Sequence, residues 1–567
     1  MVTFSPIAGT FSSSLEKDWF MRYFLLSYRK KLHIFATKRN AGMKTLVIKG
    51  EGLTIDDVCG VAQRNVSVRL CDDSAFLETL KKSRDFLMQY IAKGYPTYGV
   101  TTNFGDNCDS QISPEKANEL QHVIVTYHGI GLGQKLSQEE GRAVVLCRLN
   151  GNVKGGHSAI RVELAQFLET LLQKDIIPVI PELGSVGASG DLTPLSYLGA
   201  VMYGEREVYY KGKIVPTMEA LNAEGIQPLP LEAKEGLAIM NGTSVMTAIA
   251  SLAWKKAARL ANISDFMTAV TNEIMHGTDV PFRRKVSEIK NHPGQIESAN
   301  RIYEVVSTSR RVDTLDKFLR NLGAMEHKGY EKRDKKLQSR YSIRCAPQIN
   351  GVLRDTLSIT KQWIEQEINS ANDNPLVDIK TQELFNTGNF YGGHICASCD
   401  YLRIALANIS DLADKQAELI IDGKFNGLTD NLIPFVKDDD PRAGLRLGFK
   451  GAQITISAIR GEVQSYANPI SITSSPTEAL NQDKVSMGTI SARKLRDQIN
   501  LIYLQMGVHL LAACQAMDLI GADKFSPITQ KVYAEVRKMS AFVQDDRQLD
   551  KEATAVSEWL KTTELFS

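Results

Sequence analysis

Apolar positions recur at helical spacing along most of this chain, with short interruptions of a different character. Thr45-Leu46-Val47-Ile48 is a β-prone opening, and residues 55–92 then carry a helical pattern that is most amphipathic over 75–91. Gly94-Tyr95-Pro96-Thr97-Tyr98-Gly99 and Asn103-Phe104-Gly105-Asp106 break the period and predict a loop. Helix resumes over 114–173, broken at Gly155-Gly156, and residues 207–215 read as a β-hairpin turning at Lys211-Gly212. Beyond Leu237 the pattern is almost wholly helical, with long segments at 245–275, 348–370, 395–419, 453–467 and 485–520. The charged stretch 310–340 predicts a solvated helix and loop. Together these predict a mainly α fold, a long-helix bundle with a small β-containing N-terminal portion, whose apolar stripes are buried against one another and against other subunits. The expected divisions are 1–42, 43–240 and 241–567.

Composition narrows the function classes. The 567-residue chain has a formal net charge of +2 and 23% charged residues, with no dominant basic stripe of the kind nucleic acid requires. No apolar run is long enough to cross a bilayer without charge, so neither nucleic acid nor membrane is expected as a partner. The 8 cysteines are scattered, mostly in apolar helical settings, which predicts reduced thiols in a cytoplasmic protein. Cys396-Ala397-Ser398-Cys399 has no second pair to complete a tetrahedral site, so packing is the expected role and no metal is predicted. Segment 1–42 sets Arg22, Arg29, Lys30, Lys31, Lys38 and Arg39 among aromatic residues. It reads either as a basic amphipathic targeting segment or as an artefact of start-site choice. Met43-Lys44-Thr45-Leu46 resembles a natural start, and the artefact is favoured.

The chemistry concentrates in residues 184–196, Gly-Ser-Val-Gly-Ala-Ser-Gly-Asp-Leu-Thr-Pro-Leu-Ser. In a sharply bent loop the Gly190 amide nitrogen can attack the Ala188 carbonyl carbon. Loss of water from the ring and from Ser189 then leaves a 4-methylidene-imidazol-5-one with an electrophilic methylene. Gly190 has no Cβ to obstruct its nitrogen, Ala188 is small, and a serine-like side chain is needed to yield the methylene. Gly184 and Gly187 give the loop conformational reach. The alternative reading of the tripeptide is an ordinary turn opening a helix, with Asp191 or Thr193 near an N-cap and Pro194 in the first turn.

The whole stretch resembles the signature of the aromatic amino-acid ammonia-lyases and related aminomutases, within the fumarase/aspartase-like superfamily, and further motifs extend that likeness from about Met43 to the C-terminus. The resemblance implies a role for each matching residue. Tyr98, in Tyr98-Gly99-Val100-Thr101-Thr102, corresponds to the base that removes the β-hydrogen. An unperturbed phenol has a pKa of ~10, so nearby positive charge or hydrogen bonding would have to lower it. In 341–348, Tyr341 assists acid-base chemistry at the amine, Arg344 grips the substrate carboxylate and Gln348 supports the site. Asn241 corresponds to the asparagine beside the ring, Asn374 to one at the carboxylate end, Phe390 to the aromatic packed on the electrophile, and Glu462 and Gln482 to polar groups at the amine end. The resemblance further implies a homotetramer with each site built from more than one subunit, and no external cofactor.

Substrate marks are mixed. In Tyr127-His128 the histidine argues for a polar substrate ring, where phenylalanine lyases usually place leucine. Asn481-Gln482-Asp483 resembles the phenylalanine and tyrosine enzymes, because histidine lyases typically carry glutamate at the Gln482 position. Lys450 is the residue of many phenylalanine lyases. These marks order the expected substrates as tyrosine, phenylalanine, then histidine, with an aromatic 2,3-aminomutase and an inactive scaffold as alternatives. Three positions depart from the family's usual pattern: Asn103, Asn386-Thr387 and the bulky Tyr127.

Overall fold

β1 (Thr45–Ile48) pairs in parallel with β2 (Ser67–Leu70), Thr45 opposite Ser67, and α1 (Ile55–Ala62) connects them. This computed structural model describes residues 44–326, 329–333, 336–437 and 439–567. The basic segment 1–42 lies outside them. α1 starts on a capping box in which the Thr54 hydroxyl accepts from Asp57 N–H and the Asp57 carboxylate accepts from Thr54 N–H. α2 (Ser74–Ala92) starts on Asp73, which accepts from the amides of Ala75 and Phe76. The chain continues through α3 (Ala117–Tyr127), β3 (Leu132–Lys135), α4 (Gln138–Val153), α5 (Val162–Lys174), β4 (Ile177–Pro178) and β5 (Pro181–Leu183) into the 184–191 loop and α6 (Leu192–Met202). β3 pairs antiparallel with β5, while β6 (Glu207–Tyr210) and β7 (Lys213–Pro216) form the predicted hairpin with β4 along its edge.

Two stretches expected to be helical contain strands, β2 and β3. Each is four residues long, shorter than the window over which a helical period can be counted, and β3 is exposed along its length with no apolar alternation to betray it.

The remaining helices are α7 (Thr217–Ala223), α8 (Glu235–Met240), α9 (Ser244–Ile274), α10 (Arg284–Lys290), α11 (Pro293–Val306), α12 (Leu315–Leu322), α13 (Tyr341–Arg344) and α14 (Ala346–Ile368). A hairpin of β8 (Leu376–Asp378) and β9 (Glu383–Phe385) precedes α15 (Gly393–Ile421), α16 (Gly423–Asn426), α17 (Lys450–Ser465), α18 (Gly488–Ile520), α19 (Pro527–Arg537) and α20 (Asp550–Thr562). α9 packs against α14, α15 and α18, and α15 packs against α18. α9 and α18 are buried around nearly their whole circumference, which makes them core helices rather than surface ones. α18 is long and apolar enough to cross a membrane, but most of it is enclosed by the bundle. Glycine permits the closest approaches: a Cβ on Gly507 of α18 would sit 2.7 Å from the Ala553 carbonyl of α20, and one on Gly351 of α14 would sit 2.6 Å from the Gln295 nitrogen of α11. Each fully buried Leu or Ile contributes about 1.5–3 kcal/mol.

The three long core helices start side by side. Met246, Gly392 and Gly488, from the first residues of α9, α15 and α18 or just before them, touch one another. At ~1.5 Å per residue these helices extend roughly 45 Å from that common end. Their amide-rich N-termini place three partial positive charges there, and the 184–191 loop lies against them.

Candidate active site

The signature loop is clamped between the starts of α9 and α18. On one side Asn241 Nδ2 donates to the Ser189 carbonyl at 2.8 Å, and Asp191 N–H donates to the Gly242 carbonyl at 2.7 Å. On the other, the Ser486 amide and hydroxyl donate to the Gly187 carbonyl at 3.1 and 3.0 Å, and Met487 N–H donates to Val186 O at 2.9 Å. Gly190 takes φ +73° and lies so close to Gly242 that a Cβ would overlap the Gly242 carbonyl. Only glycine fits there, which agrees with the requirement of ring closure for an unobstructed nitrogen. Asp191 occupies the N-cap position of α6 without capping it. Its fully buried carboxylate instead accepts from the amides of Val245 and Met246 at 3.0 and 2.9 Å and from the hydroxyls of Ser185 and Thr489, so it caps α9. Burial pushes this carboxyl above its ordinary value, and those donors oppose the shift.

A second layer brings Tyr98 to this end. The Gly99 carbonyl accepts from Gln121 Nε2 of α3 at 3.0 Å, and Gln121 Oε1 accepts from Gly236 N–H of α8, the helix that ends at Asn241. Gly105 N–H donates to the Tyr98 phenol oxygen at 2.9 Å. Beside it, Asp106 N–H donates to Glu478 Oε1 at 3.0 Å, and the Glu478 carboxylate fills the space a Gly105 side chain would need. Glu478, Ala479 and Leu480 all take left-handed φ values of +52°, +51° and +66°, a strained turn closed by the Thr477–Gln482 bridge. The Thr477 hydroxyl fixes Gln482 through its Oε1 at 2.7 Å. His128 caps the C-terminus of α3, with its ring 4.3 Å from that of the exposed Tyr127. Burial holds His128 down at about 4, so its imidazole is neutral at pH 7 and can donate or accept one hydrogen bond.

The Tyr98 environment differs from the expectation of a lowered phenol. Burial pushes it up, the Gly105 amide pulls it back only in part, and the Glu478 carboxylate adds to the rise. Among the described residues of one chain no cation offsets this.

Asn374 and Phe390 belong to the same end of the bundle. Asn374 Oδ1 accepts from Thr387 N–H at 2.6 Å, so the departure at Thr387 is absorbed as a loop contact, and half-buried Phe390 lies two residues before Gly392, which touches Thr243 and Met246. Tyr341, Arg344, Gln348 and Lys450 lie elsewhere. Gln416 Nε2 of α15 donates to both Ser342 O and Thr268 Oγ1 of α9, each more than twenty residues along its helix from the loop end. The Tyr341–Arg344 turn is therefore about 35 Å from Ser189 in the same chain. There Arg344, stacked over Tyr341 at 4.4 Å, lines with Gln348 a cavity of about 420 Å³. Lys450 lines a cavity of about 360 Å³ with Glu418 and Asp422 at the C-terminal end of α15, and Glu462 is exposed further along α17. One chain thus carries Ser189, Asn241 and Tyr98 at one end of the bundle and Tyr341, Arg344, Gln348 and Lys450 at the other.

Several residues of this region escaped the sequence reading. Arg148 is a polar position within an apolar stretch, Lys234 and Glu367 sit among other charged residues where nothing in their spacing marks them, and Asp373 adjoins Asn374 in the matched motif. Asp191 adjoins the tripeptide, and its adjacency was the one available signal. Lys234 and Asp373 form a fully buried ion pair, and Thr243, the N-cap residue of α9, donates its hydroxyl to Glu367. Among the described residues no cluster of three or more His, Cys, Asp or Glu is placed to hold a metal.

Fold and site together define a helical bundle with a glycine-bounded loop clamped at converging helix N-termini. The aromatic amino acid lyase profile matches residues 53–538, and the chain belongs to that family, within the ammonia-lyase superfamily. It is a carbon–nitrogen lyase of aromatic amino acids. It is 34% identical over 522 residues to a histidine ammonia-lyase of Stigmatella aurantiaca, covering 92% of this chain and 97% of that one. Among solved structures it is similar to a tyrosine aminomutase from Streptomyces globisporus, with a TM-score of 0.85, 34% identity and coverage of 91% and 97%. It is also similar to a Pantoea agglomerans phenylalanine aminomutase, with a TM-score of 0.85, 30% identity and coverage of 92% and 100%.

Proposed function

We propose that this protein eliminates ammonia from an aromatic L-amino acid, tyrosine first, giving the trans-α,β-unsaturated acid, with a methylidene-imidazolone formed from Ala188-Ser189-Gly190. The observation that carries the reading is the pair of contacts on either side of Gly190: Asn241 Nδ2 on the Ser189 carbonyl and Gly242 against Gly190. The residues fit the ring, because ring closure keeps the Ser189 carbonyl oxygen, and Asn241 already donates to it while its own Oδ1 is buried without a partner. When formed, the group supplies an electrophilic carbon that makes the substrate amine a better leaving group.

The chain's own residues do the rest. Tyr98 takes the β-proton on its phenolate oxygen, held in place by Gly105 N–H. Asn241 and three helix N-termini favour negative charge at the Ser189 carbonyl. Neutral His128 offers a hydrogen-bond partner to a phenol or an imidazole. Arg344, Tyr341 and Gln348 come to the site from another copy, since their own half-site is about 35 Å away. Exposed apolar residues on helix faces, among them Val352, Ile359, Tyr401, Ile404 and Ile454, support such an assembly. The added cation is then what brings the phenol down.

Histidine is the second reading, favoured by the identity to histidine ammonia-lyases over nearly the full chain. Gln482 and Lys450 weigh against it. Purified protein is incubated separately with tyrosine, phenylalanine and histidine, and the ultraviolet bands of the acrylate products are followed together with ammonia release. Fastest release from tyrosine supports the proposal, and release from histidine alone replaces it with the second reading. A β-amino acid without ammonia would establish an aminomutase.

A further inference from the structure

The segment that moulds the tripeptide is itself held by one buried cation. Arg148, on α4, is 0% exposed, and its Nη1 donates to the Asn241 carbonyl at 3.2 Å and to Asn372 Oδ1 at 3.1 Å. Its Nε donates to Asn152 Oδ1, and Asn152 Nδ2 donates to the Ala238 carbonyl of α8 at 2.8 Å. Asn372 Oδ1 also accepts from Thr243 N–H at 3.3 Å. Arg148 thus ties together both flanks of Gly242, the residue whose carbonyl holds Asp191 N–H and whose backbone leaves no room beside Gly190. A Cβ on Gly242 would overlap the Arg148 guanidinium and approach Asn372 O to 2.5 Å, so the cation, the glycine and the asparagine fit as one unit. Among the described residues no carboxylate lies within hydrogen-bonding distance of Arg148. A fully buried guanidinium with neutral partners is costly, and aliphatic packing would stabilise the fold as well or better.

We propose that Arg148 is a positioning residue for ring closure, holding Asn241-Gly242-Thr243 as the mould against which Ala188-Ser189-Gly190 cyclises. Closure forms a bond between Gly190 N and Ala188 C. The Gly190 amide proton passes to the Ala188 oxygen, which leaves as water with the Ser189 amide proton. A second water takes the Ser189 hydroxyl and its Cα hydrogen. No oxidant or metal enters the balance. The barrier is one of geometry, since an amide nitrogen must be kept at attack distance from a neighbouring carbonyl, and such pre-positioning governs intramolecular rates. Arg148 supplies it at second hand: it fixes the Asn241 carbonyl and the Thr243 amide, and these place the Asn241 side chain and the Gly242 carbonyl on Ser189 and Asp191.

This inference rests on the ring reading above, and the test separates the two. Intact masses of wild type, Ser189→Ala, Arg148→Lys and Asn372→Ser are measured at intervals after synthesis, with thermal unfolding and size-exclusion profiles on the same samples. Lysine keeps the charge but cannot reproduce the planar set of donors. The expected result is a two-water deficit in wild type, none in Ser189→Ala, and a deficit that develops at least tenfold more slowly in folded Arg148→Lys, with a smaller delay in Asn372→Ser. A wild type without the deficit removes the ring reading itself. Folded Arg148→Lys that loses both waters at the wild-type rate overturns the inference alone. Failure of both variants to fold where Ser189→Ala folds also overturns it, because Arg148 is then a residue of the fold only.

Discussion

Replacing Glu478 by glutamine tests how the 477–482 turn tunes the base. Glutamine keeps an oxygen to accept Asp106 N–H, so that contact survives while the charge is removed. The Tyr98 oxygen and Glu478 Oε1 accept from the adjacent amides of Gly105 and Asp106, which puts them roughly 6 Å apart given Cα spacing along the chain. At that separation the repulsion between phenolate and carboxylate is about 0.7 kcal/mol in bulk water and about 2.8 kcal/mol at an effective dielectric of ~20. Removing it lowers the Tyr98 pKa, because that carboxylate is one of the groups that raise it. Because Tyr98 works as phenolate, the limb of the pH–kcat/KM profile that rises with pH moves to lower pH in E478Q. The direct assay is a phenolate-band titration of each protein with the matching Tyr98→Phe protein subtracted. An unmoved limb, or one displaced upward, would refute the reasoning.

Other perturbations follow from the same geometry. Gly242→Ala forces a methyl group into the Arg148 guanidinium and Asn372. It is expected to cost at least about 3 kcal/mol in denaturant unfolding and to block ring formation as judged by mass. His509, fully buried on α18, has no hydrogen-bond partner on either ring nitrogen among the described residues, and burial holds it down at about 3. The unfolded chain takes up its proton near pH 6.5, so this residue removes about 1.4 kcal/mol of stability per pH unit as pH falls from 6.5 towards 3. His509→Leu should flatten that dependence and raise the Tm at pH 5, and an unchanged slope would contradict the account. Glu367 behaves oppositely, since burial raises it to about 7 from an ordinary 4.5. Its contribution is complete below pH 4.5, falls as pH rises towards 7 and is flat above, worth about 1–3 kcal/mol after discounting for its solvent-touched face. Glu367→Gln should remove that fall in a Tm–pH series.

The long helices were legible because each carries an apolar period sustained over many residues; α9, α14, α15 and α18 lie within a few residues of the expected bounds. The tripeptide was legible because its chemistry admits few residue types. The short strands β2 and β3 were not, and neither was the second role of Asp191, which caps α9 from the N-cap position of α6. Such a bond joins residues more than fifty positions apart and leaves no periodic trace. Arg148 and Glu367 escaped for the same reason. Within the described residues of one chain the Tyr98 phenol is raised, because a motif specifies a tyrosine but not the carboxylate that the 477–482 turn places beside it. Tyr341, Arg344, Gln348 and Lys450 were picked out by motif alone, and only the bundle's length separates them from the loop. Glu462 lies part-way along, next to Val463, whose carbonyl shares Gln498 Nε2 with that of Arg403.

The central claim is that Ala188-Ser189-Gly190 becomes the electrophile of this lyase. Its most direct test is the intact mass of the purified wild-type chain beside that of Ser189→Ala. The account predicts a wild type lighter than its encoded sequence by two waters and a variant at its full encoded mass. A wild type at full encoded mass that still releases ammonia from an aromatic amino acid would contradict it.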